Sequence, residues 1–311
     1  MKIFLYRLLI ILIPVILYMV TYECLYRSIP NDYSYKHSYL SNVEKASKIE
    51  VLVLGTSHTY KGINPNVFKH NVFIGAADSQ PLYYDYRILN YFLIERPNLV
   101  NLKYVIISCD YATLNTGHNL STLKESNYYI FWKFNYVNGL KWYEKFKCFD
   151  PNLNIERYYL LNYKMKRCDS LGWNCYCLDT VKQSMLKDIA KNIVIKHTFK
   201  NIESDRFKNN KQYLKDIAID CNKRGITLLL LNTPKTNEYI SSLYRPQMKS
   251  INDYANLLVH KYTNVKYLNW QTCDGFNFND FIDSDHLNSS GASKLGVKLD
   301  SLLFELDIKN Q

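Results

Sequence analysis

The clearest pattern in the chain is a set of short apolar runs that alternate with longer stretches of helical periodicity. Five runs have the length and the branched side chains of buried strands, and they cover Glu50–Leu54, Asn71–Ile74, Lys103–Ser108, Ile226–Leu231 and Val265–Trp270. Helical spacing of apolar residues occupies Leu82–Ile94, Leu186–His197, Arg206–Arg224, Asn237–Tyr262 and Ser290–Leu306. This alternation predicts a doubly wound α/β sheet with parallel strands that are covered on both faces.

The amino terminus carries an apolar run that is too long for a strand. Residues from Leu8 to Tyr22 contain no charge, and the run extends back to Ile3 with only Arg7 interrupting it. About 20 apolar residues cross a bilayer core, and Lys2 and Arg7 place the amino end in the cytoplasm and the rest of the chain outside. No small-x-small cleavage site follows, which favours an uncleaved transmembrane anchor over a signal peptide or a buried core helix.

These patterns divide the chain into an anchor (residues 1–28), a polar, tyrosine-rich stalk (29–48) and one α/β domain (49–311). Residues from about 113 to 180 break the alternation of strands and helices, and they are rich in Tyr, Trp, Phe and Asn. We interpret them as an insertion, either near the mouth of the site or as an exposed decoration. Cys168, Cys175 and Cys177 cluster there, and an exported chain permits a local disulfide among them.

Composition narrows the classes of function. The chain has 311 residues, a net charge of +11 and 47% hydrophobic residues, which is typical of a globular protein and not of a disordered one. Its basic residues are scattered and form no stripe or known motif, so we expect no nucleic-acid partner. The sequence has no phosphate-binding glycine loop and no set of residues at metal-ligand spacing, so we expect neither a metal nor an organic cofactor.

The first strand ends in a turn that contains a serine. Gly55 permits a tight turn, and Ser57 then lies at the carboxyl end of the strand, the edge at which open α/β sheets bind ligands. Backbone N–H groups at such a strand-to-helix turn can stabilise an oxyanion. A serine here can equally be a helix cap, so the turn alone does not decide its role.

A second group of polar residues precedes the last predicted helix. Asp283 and His286 are three residues apart in a loop, so the carboxylate can hold one ring nitrogen while the other nitrogen faces a hydroxyl. Asp285 is an alternative orienting carboxylate or a cap of the following helix. A loop salt bridge between Asp283 and His286 would produce the same pattern.

Together the two segments resemble the SGNH (GDSL-like) hydrolase superfamily. Gly-Thr-Ser-His at residues 55–58 matches its first block, and Asp-Ser-Asp-His at residues 283–286 matches its last. Residues 56–65, 79–80 and 285–292 are similar to a membrane-anchored branch found among bacterial surface-polysaccharide and teichoic-acid acyl-modifying proteins. The resemblance implies a flavodoxin-like three-layer α/β/α sandwich with a mainly parallel sheet, the SGNH hydrolase fold, after one transmembrane helix.

The resemblance also implies roles for residues of this chain. Ser57 becomes the nucleophile, His286 the general base and Asp283 the carboxylate that orients the base. In the second block, Ser79 stands where the family has a glycine that lends its backbone N–H to the oxyanion hole, and Gln80 follows it.

The third block of the family contains Gly-x-Asn-Asp, and this chain departs from it. Ser-Cys-Asp-Tyr-Ala occupies residues 108–112 instead, which leaves Tyr111, Ser108 and Asn115 as possible side-chain donors to the oxyanion. His58 either lines the pocket or packs under the turn, and His118 is a weaker candidate for substrate contact. The remaining histidines, namely His37, His70, His197 and His260, are predicted to be surface or helix residues.

The expected function is that of an extracytoplasmic serine acyl transferase or esterase, anchored in a bacterial plasma or inner membrane. Its substrate would be O-acyl, especially O-acetyl, groups of a surface polysaccharide, and families of this kind often receive the acyl group from a separate multi-span membrane protein. The alternative is a non-catalytic, membrane-tethered module that binds glycan or assembles with a partner. An intact set of Ser57, His286 and Asp283 opposes this alternative, and the altered third block supports it.

Overall fold

A computed structural model describes residues 2–115, 122–134, 141–149, 166–174, 183–199 and 204–309. The chain forms two compact units. The amino-terminal unit contains residues 1–38 and 119–167, and the sheet unit contains residues 39–118 and 168–311. Much of the predicted insertion, including Cys175, Cys177 and His118, lies outside the described residues.

The sheet unit is built on five parallel strands. They are β1 (Val51–Leu54), β2 (Val72–Ile74), β3 (Tyr104–Ser108), β4 (Thr227–Asn232) and β5 (Val265–Asn269). Their order across the sheet is β2-β1-β3-β4-β5, and every neighbouring pair is parallel. This is the strand order of flavodoxin-like sheets, so the predicted α/β class with a parallel sheet is confirmed.

The α-helices of the described residues alternate with these strands. In chain order they are α1 (Lys2–Ser28), α2 (Asp32–Ser41), α3 (Val43–Ala46), α4 (Ser57–Gly62), α5 (Leu82–Asn90), α6 (Thr122–Asn127), α7 (Leu186–His197), α8 (Asp205–Asn222), α9 (Asn237–Ser242), α10 (Arg245–Lys261) and α11 (Ser289–Lys309). Helix α8 packs against α5 and α10, whereas α11 packs against α4. Since β1, β2 and β3 are buried along their whole length, helices cover both faces of the sheet.

One predicted helix is in fact two. The apolar pattern over residues 237–262 is interrupted after Ser242, and α10 begins at Arg245 with Pro246 in its first turn. Proline has no backbone N–H and is tolerated only in the first turn of a helix, so the chain restarts there. The pattern over residues 82–94 is also modified, because α5 ends at Asn90 and continues as a π-helical turn to Glu95.

The segment predicted as a stalk is helical, since it contains α2 and α3. Its second half packs within the sheet unit, where Leu40 and Ala46 are fully buried and the ring of Tyr39 stacks on that of Phe73 at 4.1 Å. Burial of these apolar side chains holds residues 39–46 in place within the sheet unit.

The amino-terminal unit contains the apolar helix α1. Its segment Tyr6–Ser28 reaches a mean hydropathy of 2.3, and it is long and apolar enough to cross a membrane. Near its end Tyr26 is buried and donates a hydrogen bond to Asn127 at 2.7 Å, and Glu23 accepts one from the backbone of Lys147 at 2.8 Å. The carboxyl end of α1 is therefore anchored in its own unit, whereas most of its apolar side chains are exposed.

Candidate active site

The turn after β1 requires a glycine. Gly55 has a φ of +108°, and a Cβ at this position would lie 2.2 Å from Oγ of Ser108. Thr56 then caps α4 by accepting a hydrogen bond from the backbone of His58. Ser57 is the first residue of α4, so its side chain lies at the carboxyl edge of the sheet, as the sequence predicts.

Two buried polar side chains hold this turn in place. The Asp85 carboxylate accepts hydrogen bonds from the backbone N–H of Gly55 at 2.8 Å and from the amide of Gln80. Oγ of Ser108 accepts one from the backbone N–H of Thr56 at 3.0 Å. Burial raises the pKa of Asp85 to about 7.

Sequence reasoning missed Asp85, although the sequence contains a signal for it. Asp85 lies three residues after Leu82 and three before Ile88, on the apolar face of α5, and a carboxylate among buried positions requires a hydrogen-bonding partner.

The structure brings together the serine, histidine and aspartate from the two ends of the sheet unit. Oγ of Ser57 lies 2.8 Å from Nε2 of His286, and Nδ1 of His286 lies 3.1 and 3.0 Å from the two carboxylate oxygens of Asp283. Asp283 also accepts a hydrogen bond from the backbone N–H of His286 at 2.8 Å. The geometry is that of a nucleophile, a base and an orienting carboxylate in series.

A second carboxylate also reaches the base. Oδ1 of Asp285 lies 3.4 Å from Nδ1 of His286, and Asp285 is almost completely buried, whereas the side chain of Asp283 is 26% exposed. Burial alone would lower the pKa of His286, but the nearby charge of Asp285 and the hydrogen bond that Nδ1 makes to Asp283 raise it to about 9.

The histidine beside Ser57 belongs to the same buried network. Nδ1 of His58 lies 2.6 Å from Asp110, and its Nε2 lies 2.9 Å from Asp285. The His58 and His286 rings are 4.7 Å apart between centroids. His58 is buried, with 5% of its surface exposed, and its predicted place in a substrate pocket stays a prediction.

The loop that carries His286 is fixed by the segment after β4. Nζ of Lys235 donates to the backbone carbonyl of Asp285 at 2.9 Å and to Thr233 at 2.8 Å. Thr236 donates from its backbone N–H and its hydroxyl to the carbonyl of Ser284 at 3.1 and 2.9 Å. Burial lowers the pKa of Lys235. The sequence had given no sign of this contact, which joins residues 50 positions apart.

The predicted oxyanion residues have different surroundings. Ser79 is exposed and has a φ of +57°, a left-handed conformation that glycine adopts most easily, which agrees with its place in the second block. Gln80 is buried, and its amide is bonded to Asp85. The Tyr111 hydroxyl is 2.6 Å from Oγ1 of Thr198, so its predicted role in the pocket stays a prediction.

One histidine differs from its prediction as a surface or helix residue. His70 is buried outside any helix and lies between Asp300 and Asp307 at 2.7 and 3.0 Å, because tertiary neighbours that the local sequence does not reveal cover it. His197 ends α7, and its Nδ1 is buried with no hydrogen-bond partner among the described residues. Burial lowers the pKa of His197, with smaller contributions from charges of the candidate site, so the ring lies near that site.

The described residues include one group whose spacing would suit a metal ion. Ligand atoms of His58, Asp285 and His286 lie within 4.8 Å of one another. Each ring nitrogen of the two histidines, however, faces a carboxylate or the Ser57 hydroxyl at hydrogen-bonding distance. We therefore interpret the group as a hydrogen-bond network.

Comparison with protein-family models and with curated proteins finds no match to this chain. The similarity of residues 55–58 and 283–286 to the SGNH blocks thus stays a prediction from the sequence.

Proposed function

We propose that this chain is an extracytoplasmic serine acyl transferase or esterase of the SGNH type, acting on O-acyl groups of a surface polysaccharide. The observation that carries the proposal is the series of hydrogen bonds from Ser57 through His286 to Asp283, at the edge where parallel sheets bind ligands. The acyl group that we propose is acetyl, in keeping with the resemblance of residues 55–58 and 283–286 to SGNH hydrolases.

The geometry supports a two-step acyl transfer. Oγ of Ser57 attacks the acyl carbonyl, and its proton moves to Nε2 of His286 as the new C–O bond forms. The bond to the leaving alcohol then breaks, and His286 returns the proton to the departing oxygen. In the second step water or a sugar hydroxyl gives its proton to His286 and attacks the acyl carbonyl; the bond to Oγ of Ser57 then breaks, and His286 passes the proton to that oxygen. Asp283 keeps Nδ1 of His286 protonated throughout.

Helix α1 supports a location at the membrane. With Lys2 and Arg7 at its start, a membrane-spanning α1 would leave the rest of the chain on the extracytoplasmic side. Membrane-anchored glycan and a multi-span protein that supplies acyl groups are then the partners we propose.

A non-catalytic binding module remains the competing proposal, and one observation favours it. Of the three side chains that could donate to an oxyanion, Tyr111 is bonded to Thr198 and Ser108 accepts from Thr56, whereas Nδ2 of Asn115 is buried without a hydrogen-bond partner among the described residues. Backbone N–H groups would then have to provide much of the stabilisation of the oxyanion.

The test is covalent labelling of the full-length protein in detergent micelles. We would incubate it with p-nitrophenyl acetate, follow nitrophenolate release, and locate an acetyl adduct by peptide mass spectrometry. We expect the adduct on Ser57 and its disappearance in Ser57→Ala. Ser301→Ala is a matched control, because Ser301 is an exposed serine of α11.

An adduct that persists in Ser57→Ala would contradict the assignment of the nucleophile. A folded protein that neither releases nitrophenolate nor forms an adduct, but binds acetylated polysaccharide equally well with and without Ser57→Ala, would support the binding module.

A further inference from the structure

The residue next to the nucleophile, His58, is buried between two carboxylates. Its ring lies 2.6 Å from Asp110 and 2.9 Å from Asp285, through different nitrogens. The three residues belong to different segments, namely α4, the loop after β3 and the loop before α11. One side chain therefore joins the three segments that carry or support the candidate site.

Both carboxylates of this group are buried and face histidine rings. Burial opposes ionisation of Asp110, but its interactions with His58 hold the pKa of Asp110 well below the usual range. Burial likewise opposes ionisation of Asp285, and its interactions with His286 and then His58 lower the pKa of Asp285 well below the usual value. Each ring nitrogen of His58 therefore faces a carboxylate oxygen at hydrogen-bonding distance.

The same group is connected to the proposed base. Oδ2 of Asp285 accepts from His58, and its Oδ1 faces Nδ1 of His286 at 3.4 Å. Without the His58 ring, Oδ2 of the buried Asp285 would lose its hydrogen-bond partner, and a buried polar atom without a partner is unfavourable. The position of Asp285 therefore depends on His58, although His286 has the larger effect on its pKa.

We propose that His58 is a positioning residue, which acts through Asp285 by holding that carboxylate in place against the proposed base. This inference rests on the proposed function for its catalytic meaning, because only an active His286 makes the state of Asp285 matter to turnover. Its structural content, the coupling of His58 to His286 through Asp285, can be measured without any activity.

The electrostatic surroundings of His286 come from several elements. Its own loop contributes Asp283 and Asp285, and the charged or titratable groups near it from other elements are His58 of α4, Asp110 after β3, Lys235 after β4, Tyr239 of α9 and His197 of α7. Of these groups, Asp285 makes the largest contribution that raises the pKa of His286. Loss of its charge should consequently move the titration of His286 more than loss of any other single group.

The first experiment is a titration of the histidine rings by ¹⁵N-edited NMR on the full-length protein in detergent micelles. In the unmodified protein we expect His286 to titrate near pH 9. In His58→Gln we expect the midpoint of His286 to fall by about one unit, a tenfold change in its neutral fraction. Asp285→Asn should also lower the titration midpoint of His286, and the asparagine oxygen still offers His58 a hydrogen-bond acceptor.

The matched control is His70→Gln, because His70 is also buried between two carboxylates but lies outside the candidate site. It should leave the midpoint of His286 unchanged. A His286 midpoint in His58→Gln at or above that of the unmodified protein would overturn the proposal. If His58→Gln does not fold, a His286 midpoint in Asp285→Asn that equals that of the unmodified protein would overturn it equally.

The pH profile of p-nitrophenyl acetate hydrolysis is the second readout. His58→Gln should lower the midpoint of the profile and also lower the limiting rate at high pH, because the ring is then held by Asp283 alone. A purely structural role would reduce the rate at all pH values without moving the midpoint. Absence of any esterase activity would contradict the proposed function and would leave the NMR titration as the test of the coupling.

Discussion

The sheet unit contains two buried histidines, each held between two aspartates, at opposite edges of the sheet. His58 follows the carboxyl end of β1, whereas His70 precedes the amino end of β2. Their side chains are equally covered, with 5% and 4% of the surface exposed. The shortest hydrogen bonds are also alike, at 2.6 Å to Asp110 and 2.7 Å to Asp300. Local chemistry therefore does not distinguish the two residues.

Their partners do distinguish them. Asp300 and Asp307 both belong to α11, so His70 contacts a single helix. Asp307 also accepts a hydrogen bond from the hydroxyl of Tyr104 in β3 at 2.6 Å, and this cluster therefore links α11 to the sheet. The carboxylates at His58 belong to two separate loops, and one of them faces His286. In our proposal, His58 differs in role from His70 because one of its two carboxylates, Asp285, also faces His286.

The largest expected difference is in the rate of ester hydrolysis when the imidazole ring of His286 or of His70 is removed. His286→Ala should reduce p-nitrophenyl acetate hydrolysis by about 10⁴–10⁶-fold, because a serine without its base is a weak nucleophile. His70→Ala should change the rate little in the molecules that remain folded, which is checked by normalising the rate to the folded fraction from circular dichroism. Comparable losses in both variants would mean that the assigned base is wrong.

The next difference separates the two carboxylates at His286. Asp283→Asn should lower the rate by about 10⁴-fold, because Nδ1 of His286 lies closest to Asp283 and loses the partner that sets its tautomer. Asp285→Asn should cost less and should shift the pH profile towards acid. Rates measured from pH 6 to 10 for both variants check this order. Equal, mild effects would count against both carboxylates as orienting groups.

The third effect in size is the change in the hydrolysis rate of the unmodified protein with pH. His286 acts as a base only when Nε2 is unprotonated, and its pKa is raised to about 9 from an ordinary value of about 6.5. The rate should therefore rise about tenfold per pH unit between pH 6 and 8 and level off above pH 9. His70→Gln should have the same profile. A profile that is flat over this range would exclude His286 as the base.

The smallest effect concerns stability at the other edge of the sheet. Burial lowers the pKa of His70, but hydrogen bonds and charges from Asp300 and Asp307 outweigh it and raise the pKa. A raised pKa contributes stability that is complete below the unfolded value of about 6.5 and is lost as pH rises through the folded value. His70→Gln should thus cost about 1–3 kcal/mol at pH 5.5 and less at pH 10.

Thermal unfolding of the full-length protein in micelles, followed by circular dichroism, measures this difference. The opposite order, with a larger loss at pH 10 than at pH 5.5, would show that His70 is not stabilised as a cation.

Much of the fold could be read from the sequence because its signals are local. The five predicted strands match β1 to β5 to within one residue at each end. Short apolar runs that are bounded by polar residues favour buried strands, so their positions can be read from the local sequence. The break before α10 was missed although Pro246 marks it, because the apolar spacing continues across the break. The resemblance of residues 55–58 and 283–286 to one superfamily also predicts that Ser57, Asp283 and His286 act together.

The sequence by itself determined the parallel α/β sheet, the apolar helix α1 and the three residues that meet at the carboxyl edge. Only the tertiary structure decided that Asp85 supports the turn, that Lys235 fixes the loop, and that the carboxylates at His58 and at His70 have different partners. The physical reason is distance along the chain. Periodicity reports which face of an element is buried, whereas the partner of a buried polar group comes from another segment, 30 residues away for Asp85 and Gly55 and 227 for His58 and Asp285.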